Sequence, residues 1–349
     1  MRKLGLVLAL LLAGAGFAQD DLVEVCFQSK WFPQAQFAGY FVAQDLGFYE
    51  EEGLSVEVLD GGNVNPTVAV ASGNCDFGTD WIANMLVQRE QGLEVVQIAQ
   101  IFQDSGYRMV TLSDSGIETF ADLAGRQVGV WGLGNEFVSQ AVFAAEDITS
   151  NLDPTVTDPD VEAVVYAFDP SLVFPDEVEV ASAMTYNELN QIVGLGFPLE
   201  NLTVLDPADI DAQLLEDLIF TTPELLASED FKSSGLSGAE VAERFLRATI
   251  RGWEYAVENP AEAVDIVLSF CGDTCAGSGS TSSPEVHQAW QMDRVAELVK
   301  PSEDTVVGAI DPAAFERSVN LLTQVGLIEN AVTFDEIVDT SIFDAVGGM

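Results

Sequence analysis

The sequence predicts an α/β protein with two lobes and a ligand cleft between them. Short β runs alternate with helical runs from Leu22 onward, which favours βαβ units and parallel sheets. The 349 residues exceed what one compact core usually contains. A strand-like run beginning at Leu218 follows the second group of alternating elements and precedes long helices. The chain is therefore expected to leave the first lobe, build the second and return.

The first residues have the pattern of a secretory signal peptide. Two basic residues precede an apolar run from Leu4 to Ala15, and small residues follow at 16–18. We expect cleavage before Gln19, which removes residues 1–18. The run is too short to span a bilayer, and no cysteine stands at the cleavage point to carry a lipid anchor. The predicted location is the periplasm, because a freely diffusing exported protein is retained only inside an outer membrane.

Acidic side chains far outnumber basic ones. The chain has 57 Asp and Glu against 13 Lys and Arg, for a formal net charge of −44 at pH 7. Such a surface repels nucleic acid and anionic lipid headgroups, so neither is an expected partner. A general acidic surface, as in salt-adapted proteins, is favoured over an acidic docking face for a basic partner.

The first lobe is predicted over residues 19–113, with a second part at 219–349. Its first strand, LVEVCFQ, precedes a helix whose apolar residues fall on one face. These residues are Ala38, Phe41, Val42, Leu46 and Tyr49. After the strand LSVEVLD, Asn65 caps a helix that has Pro66 at its first position. The strand CDFG, the helix WIANMLVQREQG and the strand LEVVQIAQIF complete this part.

The second lobe is predicted over residues 114–218, inserted into the first. The chain is expected to cross near Thr111 to Gly116, where turn residues follow a strand. This lobe contains a helix over 135–145, strands in VEAVVYAF and VEVASAMT, and a helix in NELNQIVGLG. The strand in LIFTTPELL returns the chain to lobe one, and amphipathic helices follow. They span 238–258, 260–269, 284–299 and 312–325.

Four cysteines lie in a chain expected to be exported, where disulfides persist. Cys271 and Cys275 flank a short loop that a disulfide could close or that could stay open. Cys26 and Cys75 each begin a predicted strand. They would pair if those strands are neighbours, and two buried free thiols are an equal alternative. No cysteine spacing resembles a zinc or iron–sulfur site, so no metal is expected.

An enzyme is disfavoured by the shortage of catalytic residue types. The chain has one histidine, His287, in a late helix where an ordinary surface or packed residue is expected. No G-x-S-x-G motif is present, and GLGNE at 132–136 lacks the lysine of a Walker motif and the third glycine of a dinucleotide fingerprint. Backbone N–H groups at the start of the Asn135 helix could still hold a polar ligand atom. We expect no catalytic residue and no cofactor.

Aromatic and amide side chains follow the predicted strands at their carboxyl ends. They are Trp31 and Phe32, Asp80 and Trp81, Phe102 and Gln103, Trp131, and Tyr186 with Asn187. Ligands of open α/β sheets bind at this end of the strands. A flat heteroaromatic ring between such faces gains about 0.5–1.5 kcal/mol per stacking contact, and amides and carboxylates can read its edge. One aromatic residue alone suggests core packing, but five strand ends together favour a pocket.

Four segments of the chain resemble a known family. They are KWFPQAQFAGYFVAQDLGFYEEEGLSVEV, SGNCDFGTDW, FADLAGRQVGVW and AMTYNEL. They are similar to the ABC-importer solute-binding proteins related to thiamine-pyrimidine binding and synthesis proteins, including a branch associated with riboflavin uptake. The resemblance covers about Val23 to Leu226. The W-x-x-Q-A-Q-F-A-G-Y opening is specific to this group, whereas DLAGRQVGV is shared widely among solute-binding proteins.

This resemblance implies a type II periplasmic-binding-protein fold that clamps a pyrimidine or flavin ring between its lobes. Trp31 would stack on the ring from lobe one and Tyr186 from lobe two, while Asn187 and Glu188 would hydrogen-bond its edge. The full set of predicted ligand-binding residues is Trp31, Gln36, Asp80, Trp81, Asn135, Tyr186, Asn187 and Glu188.

Two departures from the family pattern refine this expectation. Pyrimidine-binding members usually carry a histidine where Gln36 stands, so the glutamine favours the flavin-type branch. The pyrimidine-synthesising enzyme of the family uses its own histidine and a cysteine-rich iron motif. This chain has no such cysteine cluster, and its only histidine is remote from the matching segment.

The predicted function is capture of riboflavin or a related pyrimidine compound and its delivery to a membrane ABC permease, by a monomer. Binding of a sulfonate, nitrate or aromatic acid is an alternative that would need a cation in the cleft. Lys30, Arg108 and Arg126 are the basic residues near the segments that are expected to line the cleft. A sensor-coupled receptor on the same fold and a pyrimidine-synthesising enzyme are further alternatives.

Overall fold

A computed structural model describes residues 22–167, 169–272, 275 and 282–347. The predicted signal peptide at residues 1–18 and its cleavage before Gln19 lie outside these residues. In the part of the chain that the structure describes, no helix combines the length and the apolar character needed to cross a bilayer.

The first sheet has five strands in the order β2-β1-β3-β10-β4. They are β1 Val23–Gln28, β2 Leu54–Leu59, β3 Phe77–Asp80, β4 Val96–Gln100 and β10 Leu218–Thr221. β1 pairs in parallel with β2 and β3, whereas β10 lies antiparallel between β3 and β4. The sheet is therefore mixed, although the alternating pattern predicts a parallel one.

The second sheet also has five strands, in the order β7-β6-β8-β5-β9. They are β5 Tyr107–Leu112, β6 Gln127–Val130, β7 Glu162–Val165, β8 Val180–Met184 and β9 Leu202–Leu205. β5 runs antiparallel between β8 and β9. In each sheet, the strand that enters from the other sheet is the antiparallel one. β9 is not predicted from the sequence, because its burial pattern is not a clean alternation.

The position predicted for the first crossing is wrong. All of β5 pairs within the second sheet, so the chain passes between the sheets at residues 101–106 rather than near Thr111 to Gly116. The turn signals at 113–116 end β5 and do not mark a change of sheet. The return passage lies at 206–217, just before β10. The two passages face each other, because Gln100 and Gln213 donate hydrogen bonds across to Glu216 O and Asp104 Oδ1.

Helices pack on both sheets close to where the patterns predict them. Those that follow the early strands are α1 Ala38–Asp45, α2 Phe48–Glu51, α3 Pro66–Ala71, α4 Ile82–Glu90, α5 Glu136–Ala145 and α6 Glu188–Gly194. The apolar face predicted after β1 belongs to two helices, because Gly47, a natural helix stop, adopts a left-handed conformation (φ 76°) between α1 and α2. Asn65 accepts a hydrogen bond from the Val68 N–H and so caps α3 as predicted.

The C-terminal third is helical. Its helices are α7 Pro223–Ala227, α8 Gly238–Glu258, α9 Pro260–Cys271, α10 Pro284–Val299, α11 Pro312–Gln324, α12 Phe334–Ile337 and α13 Thr340–Val346. α8 crosses α1 closely, because Gly39 and Gly252 lack the Cβ atoms that would meet the Trp253 ring and the Gly39 carbonyl. α10 contacts polar side chains that follow strands of both sheets, namely Gln34 after β1 and Asn187 after β8.

Both pairs of cysteines are disulfide-bonded. Cys26 in β1 and Cys75 just before β3 have Cα atoms 5.0 Å apart, and the neighbouring strands make the bridge possible. Cys271 and Cys275 have Cα atoms 5.1 Å apart across their short loop. The alternative of two free thiols at Cys26 and Cys75 is therefore excluded.

Candidate functional site

A cavity lies between the two sheets, at the carboxyl ends of β1, β3, β6 and β8. The empty space between its walls, together with the open solvent at its mouth, amounts to about 370 Å³. The first-sheet side supplies Lys30, Trp31, Gln34, Gln36 and Trp81, and the second-sheet side supplies Trp131, Asn135, Met184, Tyr186, Asn187 and Glu188. A ligand here would contact groups that follow strands of both sheets.

Seven of the eight predicted site residues line this cavity, and Asp80 does not. The Asp80 carboxylate is fully buried behind the wall. It accepts hydrogen bonds from Lys30 Nζ (2.7 Å), Thr67 Oγ1 (2.7 Å), the Trp81 N–H (2.8 Å) and Asn84 Nδ2 (2.5 Å). Its oxygens are thus occupied by protein donors, so Asp80 supports the wall rather than facing the cavity.

The aromatic residues form two opposed faces. Trp81 and Trp131 approach across the sheets with ring centroids 6.2 Å apart and planes inclined at 60°. Trp31 also lines the cavity and is partly exposed. Tyr186, predicted as the stacking counterpart of Trp31, is 1% exposed and meets Phe102 edge-on, with centroids 5.9 Å apart. Trp131 therefore joins Tyr186 as an aromatic face from the second sheet, a role that its strand-end position alone could have suggested.

Lys30 is a cavity-lining residue that the predicted set omits. Its ammonium pairs with Asp80 and lies 4.6 Å from the centroid of the Trp81 ring. The alternative of an anion site needs a free cation, but Arg108 pairs with Asp206 (2.7 Å) outside the lining. Arg126 likewise pairs with Glu179 (2.7 Å) on the surface. All three candidate cations are therefore neutralised by carboxylates.

Two buried carboxylates lie at the site. Burial raises the pKa of Glu188 to about 7, and its oxygens accept from the Met184 N–H (2.9 Å) and Asn187 Nδ2 (2.9 Å). Burial also raises the pKa of Asp217 to about 7. Asp217 accepts from Gln36 Nε2 (2.9 Å) and Trp81 Nε1 (2.9 Å), so it underlies the first-sheet wall.

Asn135 supplies an unsatisfied polar atom. It is the N-cap residue of α5 and is 8% exposed. Its Nδ2 donates to Gly132 O (3.1 Å), whereas its buried Oδ1 has no hydrogen-bond partner. Since buried polar atoms are normally satisfied, this oxygen is a candidate acceptor for a ligand donor.

His287 is not remote from the site, contrary to the prediction. It is fully buried on α10, with Nδ1 2.8 Å from Asn190 Oδ1 and Nε2 3.0 Å from Asn187 Oδ1. Burial lowers its pKa to about 4, so the ring is neutral at pH 7. His287 contacts Asn187, which lines the cavity, but does not line it itself. The packing of α10 against α6 places it there, and the sequence alone does not show this packing.

A family model described as NMT1/THI5 like matches residues 34–263 of the chain. Three curated relatives are similar over most of their length. The riboflavin-binding protein RibY of Chloroflexus aurantiacus is 26% identical, over 92% of this chain and 86% of its own. The formylaminopyrimidine-binding protein of Halalkalibacterium halodurans is 23% identical, over 72% of each chain. A 4-amino-5-hydroxymethyl-2-methylpyrimidine phosphate synthase of Legionella pneumophila is 26% identical, over 68% of this chain and 71% of its own.

Solved structures identify the fold. The ligand-binding component of an ABC-type import system from Staphylococcus aureus superposes with a TM-score of 0.61 at 13% identity, covering 92% of this chain and 98% of that one. The periplasmic aliphatic sulphonate-binding protein SsuA of Escherichia coli superposes with a TM-score of 0.59 at 13% identity, covering 90% and 91%. The predicted periplasmic-binding-protein fold is therefore confirmed.

Proposed function

The chain belongs to the NMT1/THI5-like family, and we propose that it is the periplasmic solute-binding protein of an ABC importer that captures riboflavin. The observation that carries this proposal is the composition of the cavity wall. Aromatic faces from both sheets enclose it, and its lining contains amides, a carboxylate and one neutralised lysine. Such a wall suits a flat, uncharged heteroaromatic ring with a polar edge.

The aromatic faces account for the ring of the ligand. Trp31, Trp81 and Trp131 line the cavity from three different strand ends. An isoalloxazine ring placed among them would gain burial and about 0.5–1.5 kcal/mol of stacking per contact. The similarity of the whole chain to the riboflavin-binding protein RibY supports the same ligand.

The polar groups account for the edge of the ligand. Asn187 and Glu188 are adjacent in the chain and both line the cavity, and Asn135 Oδ1 is an acceptor without a protein partner. A riboflavin ring presents carbonyl oxygens on both sides of an N–H, so donors and acceptors side by side are the required complement. The absence of a free cation in the described lining argues against a sulfonate or nitrate.

Binding by closure follows from the arrangement of the sheets. We propose that each sheet is the core of one lobe and that the lobes move about the passages at 101–106 and 206–217. A ligand that contacts both walls favours the closed form over the open one. A membrane permease would then accept the ligand from the closed, monomeric protein.

We also propose that the chain is not an enzyme. His287 is the only histidine, and both of its ring nitrogens contact asparagine oxygens. It therefore has no free nitrogen directed at the cavity, in contrast to a residue that reacts with a substrate.

A thiamine pyrimidine precursor is the second candidate ligand. The formylaminopyrimidine-binding protein is similar to 72% of this chain, and its ligand class also has a flat heteroaromatic ring. An aminopyrimidine edge also carries a donor beside an acceptor, so the polar groups alone do not separate the two ligands.

Spectroscopy of the purified mature protein tests the proposal. We expect denaturation to release a compound with a flavin absorption spectrum, and refolded protein to show saturable one-to-one quenching of riboflavin fluorescence. Formylaminopyrimidine is the matched competitor. Saturable binding of formylaminopyrimidine without riboflavin binding would show that the ligand is a thiamine pyrimidine precursor and not riboflavin. Binding of neither compound would refute the proposed function.

A further inference from the structure

A chain of side-chain amides connects Asp217 to Asn187 through the interior. Gln36 Nε2 donates to Asp217 (2.9 Å), and Gln34 Nε2 donates to Gln36 Oε1 (2.7 Å). Gln291 Nε2 then donates to Gln34 Oε1 (3.1 Å) and to Asn187 Oδ1 (3.1 Å). We call these residues the amide relay. All five are buried, and the relay joins the first-sheet wall, helix α10 and the second-sheet wall.

The relay has a direction because one end is a carboxylate. Asp217 is ionised above its pKa of about 7, and an ionised carboxylate only accepts hydrogen bonds, so Gln36 then turns its NH₂ group toward Asp217 and its oxygen toward Gln34. The Gln34 amide is then oriented in turn, and its oxygen requires the NH₂ group of Gln291. The buried Gln291 Oε1 has no partner in this arrangement, so the orientation of this amide is set by the two acceptors of its NH₂ group, Gln34 Oε1 and Asn187 Oδ1.

The direction of the relay decides which group Asn187 presents to the cavity. Asn187 Oδ1 receives hydrogen bonds from Gln291 Nε2 (3.1 Å) and Gln191 Nε2 (3.2 Å), so it points away from the ligand space. Its Nδ2 donates to Glu188 Oε1 (2.9 Å). An amide NH₂ group has two donors, and the second remains for a ligand.

We propose that Asp217 is a positioning residue that acts through the amide relay to make Asn187 a hydrogen-bond donor toward the ligand, beside Glu188 as acceptor. This proposal rests on the proposed function and deepens it. The pair selects a ring edge on which a carbonyl oxygen lies next to an N–H, as in the imide of riboflavin. It discriminates against the same ring when that N–H is replaced by N–CH₃.

The test compares riboflavin with 3-methylriboflavin on the wild-type protein and on Asp217→Asn at about pH 8.5, where the Asp217 carboxyl is ionised. Asp217 has φ 49°, and asparagine tolerates this left-handed conformation, so the variant should fold. A site built around a ligand N–H rejects the analogue by a large factor, so the wild type should prefer riboflavin by about 100-fold or more. An asparagine at 217 allows both directions of the relay, and the preference should fall to within about threefold as the Asn187 amide loses its fixed orientation.

Glu216→Gln is the matched control. Glu216 is a buried carboxylate next in the chain, but it accepts hydrogen bonds from Ser105 Oγ (2.6 Å) and the Gly106 N–H (2.9 Å) rather than from the relay. Its replacement removes a buried carboxyl group at the passage between the sheets and should leave the riboflavin preference unchanged. Equal loss of preference in both variants, or an unchanged preference in Asp217→Asn, would overturn the proposal.

His287 gives a second measurement that does not require a ligand. Both N–H groups of Gln291 are used by Gln34 Oε1 and Asn187 Oδ1, and His287 Nε2 lies 3.0 Å from Asn187 Oδ1. The relay therefore requires the neutral His287 ring to carry its proton on Nε2 and to donate it to Asn187 Oδ1. Because the chain has one histidine, its ¹⁵N resonances need no assignment. We expect the Nε2–H tautomer in the wild type and a mixture of tautomers in Asp217→Asn. The Nδ1–H tautomer in the wild type would contradict the relay.

The two measurements separate the possible failures. If the wild type binds no riboflavin, the proposed function fails while the tautomer still tests the relay. If it binds riboflavin and the tautomer is Nδ1–H, the relay fails and the function stands.

Discussion

The two walls of the cavity differ in how their polar groups are satisfied. On the first-sheet wall, Lys30, Gln36 and Trp81 all donate to the buried carboxylates of Asp80 and Asp217. The second-sheet wall keeps groups available, namely the buried Asn135 oxygen without a partner and a spare donor on Asn187. The first wall is thus a preorganised aromatic surface, and in the proposed function the second wall is the one that would read the edge of the ligand. A binding site can therefore divide affinity and specificity between its halves.

Replacement of Trp31 by alanine should cause the largest loss of riboflavin affinity among the variants proposed here. Truncation removes stacking and apolar burial together, so we expect riboflavin affinity to fall by about 2–4 kcal/mol, measured by fluorescence titration. Trp31 is partly exposed, so the melting temperature should change little. Trp31→Phe is the control and should retain most of the affinity. Unchanged affinity in Trp31→Ala would show that the first wall does not stack on the ligand.

The pH dependence of stability tests the connection between the walls. Burial raises the pKa of Glu216 to about 7, so the folded protein keeps a proton that the unfolded chain releases near its ordinary pKa. The stability from this group is full below the ordinary glutamate pKa and is lost as the pH rises through about 7. In Glu216→Gln the decline in unfolding free energy between about pH 5 and pH 8 should be shallower, by about 2 kcal/mol.

Urea unfolding at several pH values measures this difference, and His287 does not confound it. The lowered pKa of His287 acts in the opposite sense, because its contribution increases as the pH rises from about 4. It is present in both proteins and cancels. Parallel pH profiles for the wild type and Glu216→Gln would show that Glu216 does not hold its proton in the folded state.

Asn135→Ala tests the second wall. Loss of one ligand hydrogen bond should weaken riboflavin binding by about 1 kcal/mol, measured by the same titration. Asn65→Ala is the matched control, because Asn65 caps α3 and does not line the cavity. It should lower stability by about 1 kcal/mol and leave affinity unchanged. If Asn135→Ala lowers stability and leaves riboflavin affinity unchanged, Asn135 stabilises α5 and does not contact the ligand.

Arg126→Gln should have the smallest effect. Arg126 and Glu179 form a surface ion pair with 32% and 45% of their side chains exposed, and such pairs contribute about 0–1 kcal/mol. We expect no measurable change in riboflavin affinity and a small change in urea unfolding. A large loss of affinity would show that a cation outside the described lining contributes to binding. That result would favour the alternative of an anionic ligand.

Most of the elements could be predicted because their signals are local. The Asn65–Pro66 cap, the split at Gly47 and the apolar face around Phe41 depend on residues a few positions apart. The aromatic residues that follow β1, β3 and β8 are likewise visible from the strand ends alone. Together with four polar residues predicted beside them, they give seven predicted residues that line one cavity. Asp80 was misplaced because its neighbours along the chain do not show that Lys30, 50 residues away, occupies its carboxylate.

The sequence by itself determined the α/β class, the positions of most strands and helices, and the aromatic residues at the strand ends. Periodicity, caps and turn residues act over one or two helical turns, and a strand end is visible without knowledge of its partner. Only the tertiary structure decided the position of the first crossing, the pairing of cysteines and the relay from Asp217 through Gln291 to Asn187. Gln291 is 257 residues from Gln34 along the chain, and such contacts arise from the packing of whole elements.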